Sequence, residues 1–184
     1  MDKTYADTVR LLLAVAPDVF ANDIFAMKGG TAINLFVRDM PRLSVDIDVV
    51  YLPWQTPRDE ALQAINQELA AIAARVAPLG VQTRLVRAKD LGDTKLIVEN
   101  DASQVKIEVN VVFRGSVLPV ERRPLSAKTS DLFGVEFELP VLAPDELYAS
   151  KLVAALDRQH PRDLFDVWQL HESGDISDGM VECF

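Results

Sequence analysis

Two short stretches concentrate residue types that handle phosphate. One is Lys28-Gly29-Gly30-Thr31-Ala32; the other is Ser44-Val45-Asp46-Ile47-Asp48. Residues two apart on a strand face the same side. An extended run over 43–52 therefore sets the carboxylates of Asp46 and Asp48 together, roughly 6–7 Å apart along the backbone. Oxygen donors so placed suit hard divalent ions such as Mg2+ or Mn2+, and paired ions clamp the attacking and leaving oxygens of a phosphoryl displacement. Gly29 and Gly30 ahead of a helix let backbone amides approach a phosphate, the helix N-terminus adds a favourable dipole, and Thr31 adds a hydroxyl. Each stretch alone is equally well a glycine turn or a pair of solvated aspartates. The alternation that places both aspartates on one polar face favours the joint reading.

A third carboxylate is expected from 105–111. Val105, Ile107 and Val109 alternate with Lys106, Glu108 and Asn110, a half-buried strand pattern. If this strand neighbours the Asp46 strand, Glu108 completes the acidic cluster or takes a proton from an attacking hydroxyl. An exposed strand glutamate is the plainer alternative.

The elements that must position these groups follow from periodicity and punctuation. A helix is expected over 4–15, a strand over Ile24–Met27 ending at the glycine pair, a short helix over Thr31–Val37 and a strand over Leu43–Leu52. Thr56 and Pro57 read as the cap and first position of a helix that continues to Ala77 and stops at Pro78 and Gly80. Strands over Val81–Val86, Lys95–Glu99 and Val105–Phe113 are expected, with turns at Gly92-Asp93 and Asn100-Asp101. Residues 114–134 read as irregular and Val135–Leu142 as a strand. Helices over Asp145–Gln159 and Pro161–His171 follow, with Gly174 as a stop. The expected fold class is α/β (α+β): a mixed-sheet core over 1–142 and a C-terminal helical segment over 143–184. That segment is too small for its own core and is expected to pack on the first.

The chain has 184 residues, of which 49% are hydrophobic and 26% charged, a globular composition that argues against disorder. Its net charge of -9 excludes a general nucleic-acid coat, which needs a basic surface, but leaves room for a local basic groove. One cysteine, Cys183, excludes an internal disulfide framework or a cysteine zinc site and suits a reducing cytoplasm. The polar start is unlike a signal peptide, and no apolar run approaches the ~18 residues of a membrane span. A cytoplasmic location without a membrane partner is expected. His160 and His171 are too separated for a metal pair. Trp54 and Trp168 read as packing residues, and Arg38, Arg42, Arg122, Arg123 and Lys128 as surface charge that can meet phosphate.

Taken together, the motifs resemble the nucleotidyltransferase superfamily, and more narrowly the AbiEii nucleotidyltransferase toxins of type IV toxin–antitoxin systems. The resemblance spans about residues 20–172. It rests on Lys28 to Ala32, on Arg42-Leu43-Ser44-Val45-Asp46-Ile47-Asp48, on Lys151, and on Arg162-Asp163-Leu164-Phe165-Asp166. It implies a nucleotidyltransferase-like sheet and a metal-dependent enzyme with an NTP substrate. It implies metal ligation by Asp46, Asp48 and Glu108, with Lys151 and Asp163 joining them in catalysis. Nucleotide binding falls to Lys28, Gly29, Gly30, Thr31, Ser44, Arg158 and Asp166. A tRNA acceptor, arrested translation and an antitoxin encoded nearby complete the implied picture. Lys151 and Arg158 lie seven apart and share a helix face. Asp163 and Asp166 share another, although a helix-start charge accounts for Asp163 equally well.

Two rival readings accompany this one. The acidic surface suits transfer to a small cationic molecule or a protein hydroxyl. A non-catalytic nucleotide-binding module is the other, opposed by three acids that repel one another without a cation.

Overall fold

A computed structural model describes residues 2–88, 92–174 and 176–184. Among these residues, seven strands form one mixed sheet in the order β3-β4-β5-β2-β1-β7-β6. The strands are β1 (Phe25–Lys28), β2 (Ile47–Tyr51), β3 (Gln82–Ala88), β4 (Gly92–Glu99), β5 (Gln104–Asn110), β6 (Glu121–Pro124) and β7 (Glu138–Val141). The helices are α1 (Lys3–Val19), α2 (Gly29–Ala32, continued by a π-helical turn over Ile33–Val37), α3 (Arg58–Val76), α4 (Ala127–Phe133), α5 (Pro144–Arg158), α6 (Pro161–Ser173) and α7 (Asp178–Cys183). The fold is mixed α/β, as expected. No helix among the described residues is long and apolar enough to cross a membrane.

The sheet centre positions the site. β2 pairs antiparallel with β1 and parallel with β5. Its registers set Lys28 beside Asp48 and Asp48 beside Glu108. Val105, Ile107 and Val109 face inward as their alternation predicts, each under 5% exposed. Helices α1 and α3 pack on β3, β4 and β5 through Val9, Leu12, Ile65, Leu69 and Ile72, all fully buried. The C-terminal helices contribute Leu147, Tyr148, Leu170 and Met180 to the same hydrophobic core.

Several boundaries differ from the sequence reading for identifiable reasons. β2 begins at Ile47, where pairing with Ile107 begins. Residues 43–46 lie outside it, so Asp46 precedes the strand that carries Asp48 instead of sharing its face by alternation, and Leu43 is 63% exposed rather than inward. Helix α1 runs past Pro17 to Val19: a proline in the last turn removes one hydrogen bond, and buried Ala16 and Val19 offset it. Pro57 takes the cap position of α3, with no side-chain cap from Thr56. Gly92 and Asp93 pair with Ala88 and Arg87, so they belong to a strand and not to a turn. Asn100 does form its turn, accepting from the amides of Ala102 and Ser103. The stretch 114–134 holds β6 and α4, the latter capped by Ser126. Helix α7, capped by Ser177, is also absent from the sequence reading.

Candidate active site

A cleft of about 890 Å³ opens between the sheet centre and α5. Its lining includes Lys28, Gly29, Gly30, Asp48, Glu108, Lys151 and Arg158. Adjacent strands thus present Lys28, Asp48 and Glu108 in one row. Gly29 follows Lys28 directly, in the left-handed region at φ +79°. A Cβ there would overlap the Asp48 carboxylate. Glycine is therefore required twice, by its backbone angle and by the close approach of Asp48. A Cβ on Gly30 would collide with the Arg42 guanidinium and crowd Ser44 Oγ at 3.2 Å.

Charge in this row is unevenly compensated. The Asp48 carboxyl is pushed up to about 6 by its burial and by the nearby charges of Asp46 and Glu108, against the opposing pull of Lys28 and Lys151. The Lys28 ammonium is pushed below the usual lysine value, chiefly by burial and partly by Lys151, while Asp48 and Glu146 oppose the shift. Glu108 is half-exposed, with Oε1 2.9 Å from Lys95 Nζ, a cation one strand away in register.

Behind the cleft lies a buried ionic network. Lys151, 8% exposed, donates to Asp163 at 2.7 Å and lies 3.2 Å from Asp166. Arg158 adds Nε to Asp163 at 2.6 Å. Arg42 donates two hydrogen bonds to the Asp166 carboxylate, at 2.6 and 2.7 Å. The left-handed Gln159 closes α5, and His160 caps α6 by accepting from the Arg162 amide. This turn folds Asp163 back under Lys151. Burial would raise the Asp163 carboxyl, but hydrogen bonds and charge from Arg158 and Lys151 outweigh it and hold the group down at about 2.

A family model described as "Nucleotidyl transferase AbiEii toxin, Type IV TA system" matches residues 10–184. The chain belongs to the AbiEii family. No curated protein sequence matches it significantly. Among solved structures, it is similar to MenT4, a nucleotidyltransferase toxin from Mycobacterium tuberculosis H37Rv. That match has a TM-score of 0.66 and 22% identity, covering 98% of this chain and 63% of that one. The chain thus spans less than two-thirds of that toxin's length. It is also similar to the antibiotic-resistance factor ANT(2'')-Ia, with a TM-score of 0.51 and 17% identity, covering 99% of this chain and 89% of that one. At these identities the two structures speak for the fold.

Within this AbiEii chain, the residues singled out from sequence fall into two layers. Lys28, Gly29, Gly30, Asp48, Glu108, Lys151 and Arg158 meet at the cleft. Thr31, Ser44, Asp46, Asp163 and Asp166 are not part of its lining. Thr31 and Ser44 hydrogen-bond each other at 2.9 Å, which ties α2 to the segment preceding β2. Arg42 is no surface charge: its side chain is 11% exposed and committed to Asp166. Arg38 is held by the Tyr148 hydroxyl and Ser173, Arg122 by the Glu138 carbonyl, Arg123 by Glu121, and Lys128 by the Asp39 carbonyl. Trp54 and Trp168 are 62% and 50% exposed, so, against expectation, neither is a core residue, although Trp54 sits beside Gly115 and Trp168 lies against Phe165.

Two site residues were hidden in the sequence. Glu146 is 9% exposed and accepts from the amides of Val117 and Leu118 at 3.1 Å. As a first-turn acid after Pro144, it looks like ordinary dipole compensation. Asn110 accepts from the amides of Val112 and Phe113, a local turn that alternation cannot signal.

Asp46, Asp48 and Glu108 offer the oxygen donors that Mg2+ takes, and the charges of Asp46 and Glu108 add to the burial that raises the Asp48 carboxyl. Among the described residues, no three acidic, histidine or cysteine side chains converge closely enough to hold a metal ion. Asp46 and Asp48 are the pair whose donor chemistry suits the ion, while Glu108 is held by Lys95.

Proposed function

We propose that the chain is a nucleotidyltransferase toxin. It transfers a nucleotidyl group from a nucleoside triphosphate to an RNA acceptor, the end of a tRNA, and thereby arrests translation. The observation that carries this reading is the row Lys28–Asp48–Glu108 on three paired strands, joined at one cleft by the glycine pair, Lys151 and Arg158. The opposite charges serve the two halves of one reaction: cations take the triphosphate, and acids take a metal ion and a proton.

Gly29 and Gly30 open α2, where backbone amides have no intrahelical partner. With Lys28, Lys151 and Arg158 they hold the phosphates and stabilise the charge that develops on them. Asp46 and Asp48 would hold Mg2+ or Mn2+, which neutralises phosphate charge and orients oxygens for in-line displacement. The acceptor hydroxyl oxygen bonds to the α-phosphorus, the bond to the pyrophosphate oxygen breaks, and Glu108 receives the hydroxyl proton. Pyrophosphate leaves against the cationic side of the cleft. Thr31, Ser44, Arg42 and Asp166 hold the glycine loop and α6 in place. The proposed setting is the cytoplasm, with a nearby-encoded antitoxin as functional partner.

Incubation with each labelled NTP, Mg2+ and total tRNA is expected to label RNA. Failure with all four nucleotides across several RNA pools would overturn the RNA reading. Asp157 and Glu146 also line the cleft, which favours a cationic small molecule as second choice. Mass-shift screening of small acceptors with tRNA left unlabelled would reassign the acceptor accordingly. Gly29→Ala is expected to lower transfer about a hundredfold, the scale of a 1 Å misplacement. Transfer at wild-type rate by this variant would show that Asp48 tolerates displacement.

A further inference from the structure

The cleft is not uniform along its length. Lys151 and Arg158 line it toward the C-terminal half of α5, and the loop after β5 lines it with Val112, Phe113 and Val117. That loop is anchored near the start of α5, where Glu146 accepts from the amides of Val117 and Leu118. Glu146 and Arg158 are separated by roughly 18 Å of helix at 1.5 Å per residue. Along α5 the lining carries both signs, Glu146 and Asp157 with Lys151 and Arg158, whereas the loop after β5 contributes the apolar Val112, Phe113 and Val117.

Val112 and Phe113 are 75% and 70% exposed, yet their backbone is tightly held. Asn110 Oδ1 accepts from both of their amides, at 3.0 and 2.9 Å. Arg114 donates to the Thr56 carbonyl at 2.7 Å, and the Gly115 amide donates to the Tyr51 carbonyl at 2.8 Å. Gly115 takes φ +81°, with Trp54 where a Cβ would project. A loop pinned at four points that still turns two large apolar side chains toward a cleft is organised for a ligand with an apolar face.

We infer that Val112 and Phe113 form the base end of the nucleotide-donor site, with the nucleobase lying against the Phe113 ring. This rests on the donor being a nucleoside triphosphate, as proposed above. The lining selects this occupant: Lys28, Lys151 and Arg158 match the triphosphate, and the apolar Val112 and Phe113 match a flat heterocycle in the same cleft. Base–aromatic stacking tolerates any base, so the subsite contributes affinity more than base choice.

The test compares binding of NTP and of inorganic tripolyphosphate, both with Mg2+, to wild type, Phe113→Ala and Phe113→Tyr. Phe113→Ala is expected to raise the NTP Kd by about five- to fiftyfold, the scale of one stacking contact. It should leave the tripolyphosphate Kd and the melting temperature unchanged, and Phe113→Tyr should restore NTP binding. An unchanged NTP Kd, or equal weakening of both ligands, would overturn the inference. An unchanged NTP Kd with a raised KM for the RNA acceptor would place the acceptor's base there instead, which also overturns it. If wild type binds tripolyphosphate but gains nothing from the nucleoside, this subsite fails while the phosphate site stands. If wild type binds neither, the nucleotidyltransferase reading itself falls, and the inference with it.

Discussion

Asp48→Asn is expected to abolish nucleotidyl transfer, on the order of a thousandfold or more, and at the same time to make the protein more stable. Both effects come from one arrangement. Asp48 sits beneath the glycine loop with Asp46 and Glu108 close by, and its carboxyl titrates near 6 where the ordinary value is 3.8. The folded state thus resists ionising this group. Below about pH 3 the carboxyl is protonated in folded and unfolded chains alike, and no penalty arises. As pH rises from about 4 to 6, the unfolded chain releases the proton first, so stability falls across that window. Above 6 the full cost is present, about 3 kcal/mol for a shift from 3.8 to about 6. Asparagine has no charge to force into the site. At pH 7.5 the variant should melt several degrees higher, given roughly 2–4 °C per kcal/mol at this chain length, and the difference should vanish below about pH 3. Millimolar Mg2+ should raise the wild-type melting temperature by linkage and leave that of Asp48→Asn unmoved. A variant less stable than wild type at pH 7.5 would show that Asp48 is a structural hydrogen-bond partner rather than a strained acid awaiting a cation.

The central motif was legible because its cause is local. A glycine pair at the end of a strand and an Asp-x-Asp run each leave marks that a single sequence displays, although β1–β2 pairing is what brings them together. Glu108 was legible for the same reason, since alternation at Val105, Ile107 and Val109 fixes its face. The register that sets Glu108 beside Asp48 could only be conditional, because strand pairing is a long-range choice. Arg42 shows where the reading stops. An arginine in a polar segment looks solvated until α6, more than a hundred residues later, brings Asp166 to its guanidinium. Glu146 was invisible for another reason: a helix-start acid already has a sufficient local explanation. β6 and α4 escaped because Glu121, Arg122 and Arg123 form an edge strand without apolar alternation, and α4 is only seven residues long.

Lys151 and Asp163 touch each other, yet their removal is expected to have opposite signatures. Three cations (Arg42, Lys151 and Arg158) share two carboxylates (Asp163 and Asp166) in the network behind the cleft. Lys151→Met leaves two cations on two acids: Asp166 keeps Arg42, and Asp163 keeps Arg158. The balance is met and the methionine stem refills the space, so stability should change by about 1 kcal/mol or less. Transfer should nevertheless fall by about a hundredfold, because Lys151 is the buried excess charge proposed above to meet the phosphates. Asp163→Ala does the reverse. It leaves three cations on one acid and opens a cavity at a side chain that is 1% exposed. Arg158, 61% exposed at its side chain, can turn to water, but Lys151 cannot. Removing one partner of a buried pair costs about 3–5 kcal/mol; with Asp166 still beside Lys151, the lower end is expected, a fall in melting temperature of roughly 6–12 °C. Because the Asp163 carboxyl is held down at about 2, its stabilisation is complete above about pH 4 and disappears as pH falls toward 2. The gap between wild type and Asp163→Ala should close over that acid window. Thermal melts of both variants from pH 2 to 8, with transfer assays at pH 7.5, decide the matter. Equal destabilisation by Lys151→Met and Asp163→Ala would mean that Lys151 serves the packing of α5 on α6 and carries no charge to the phosphates.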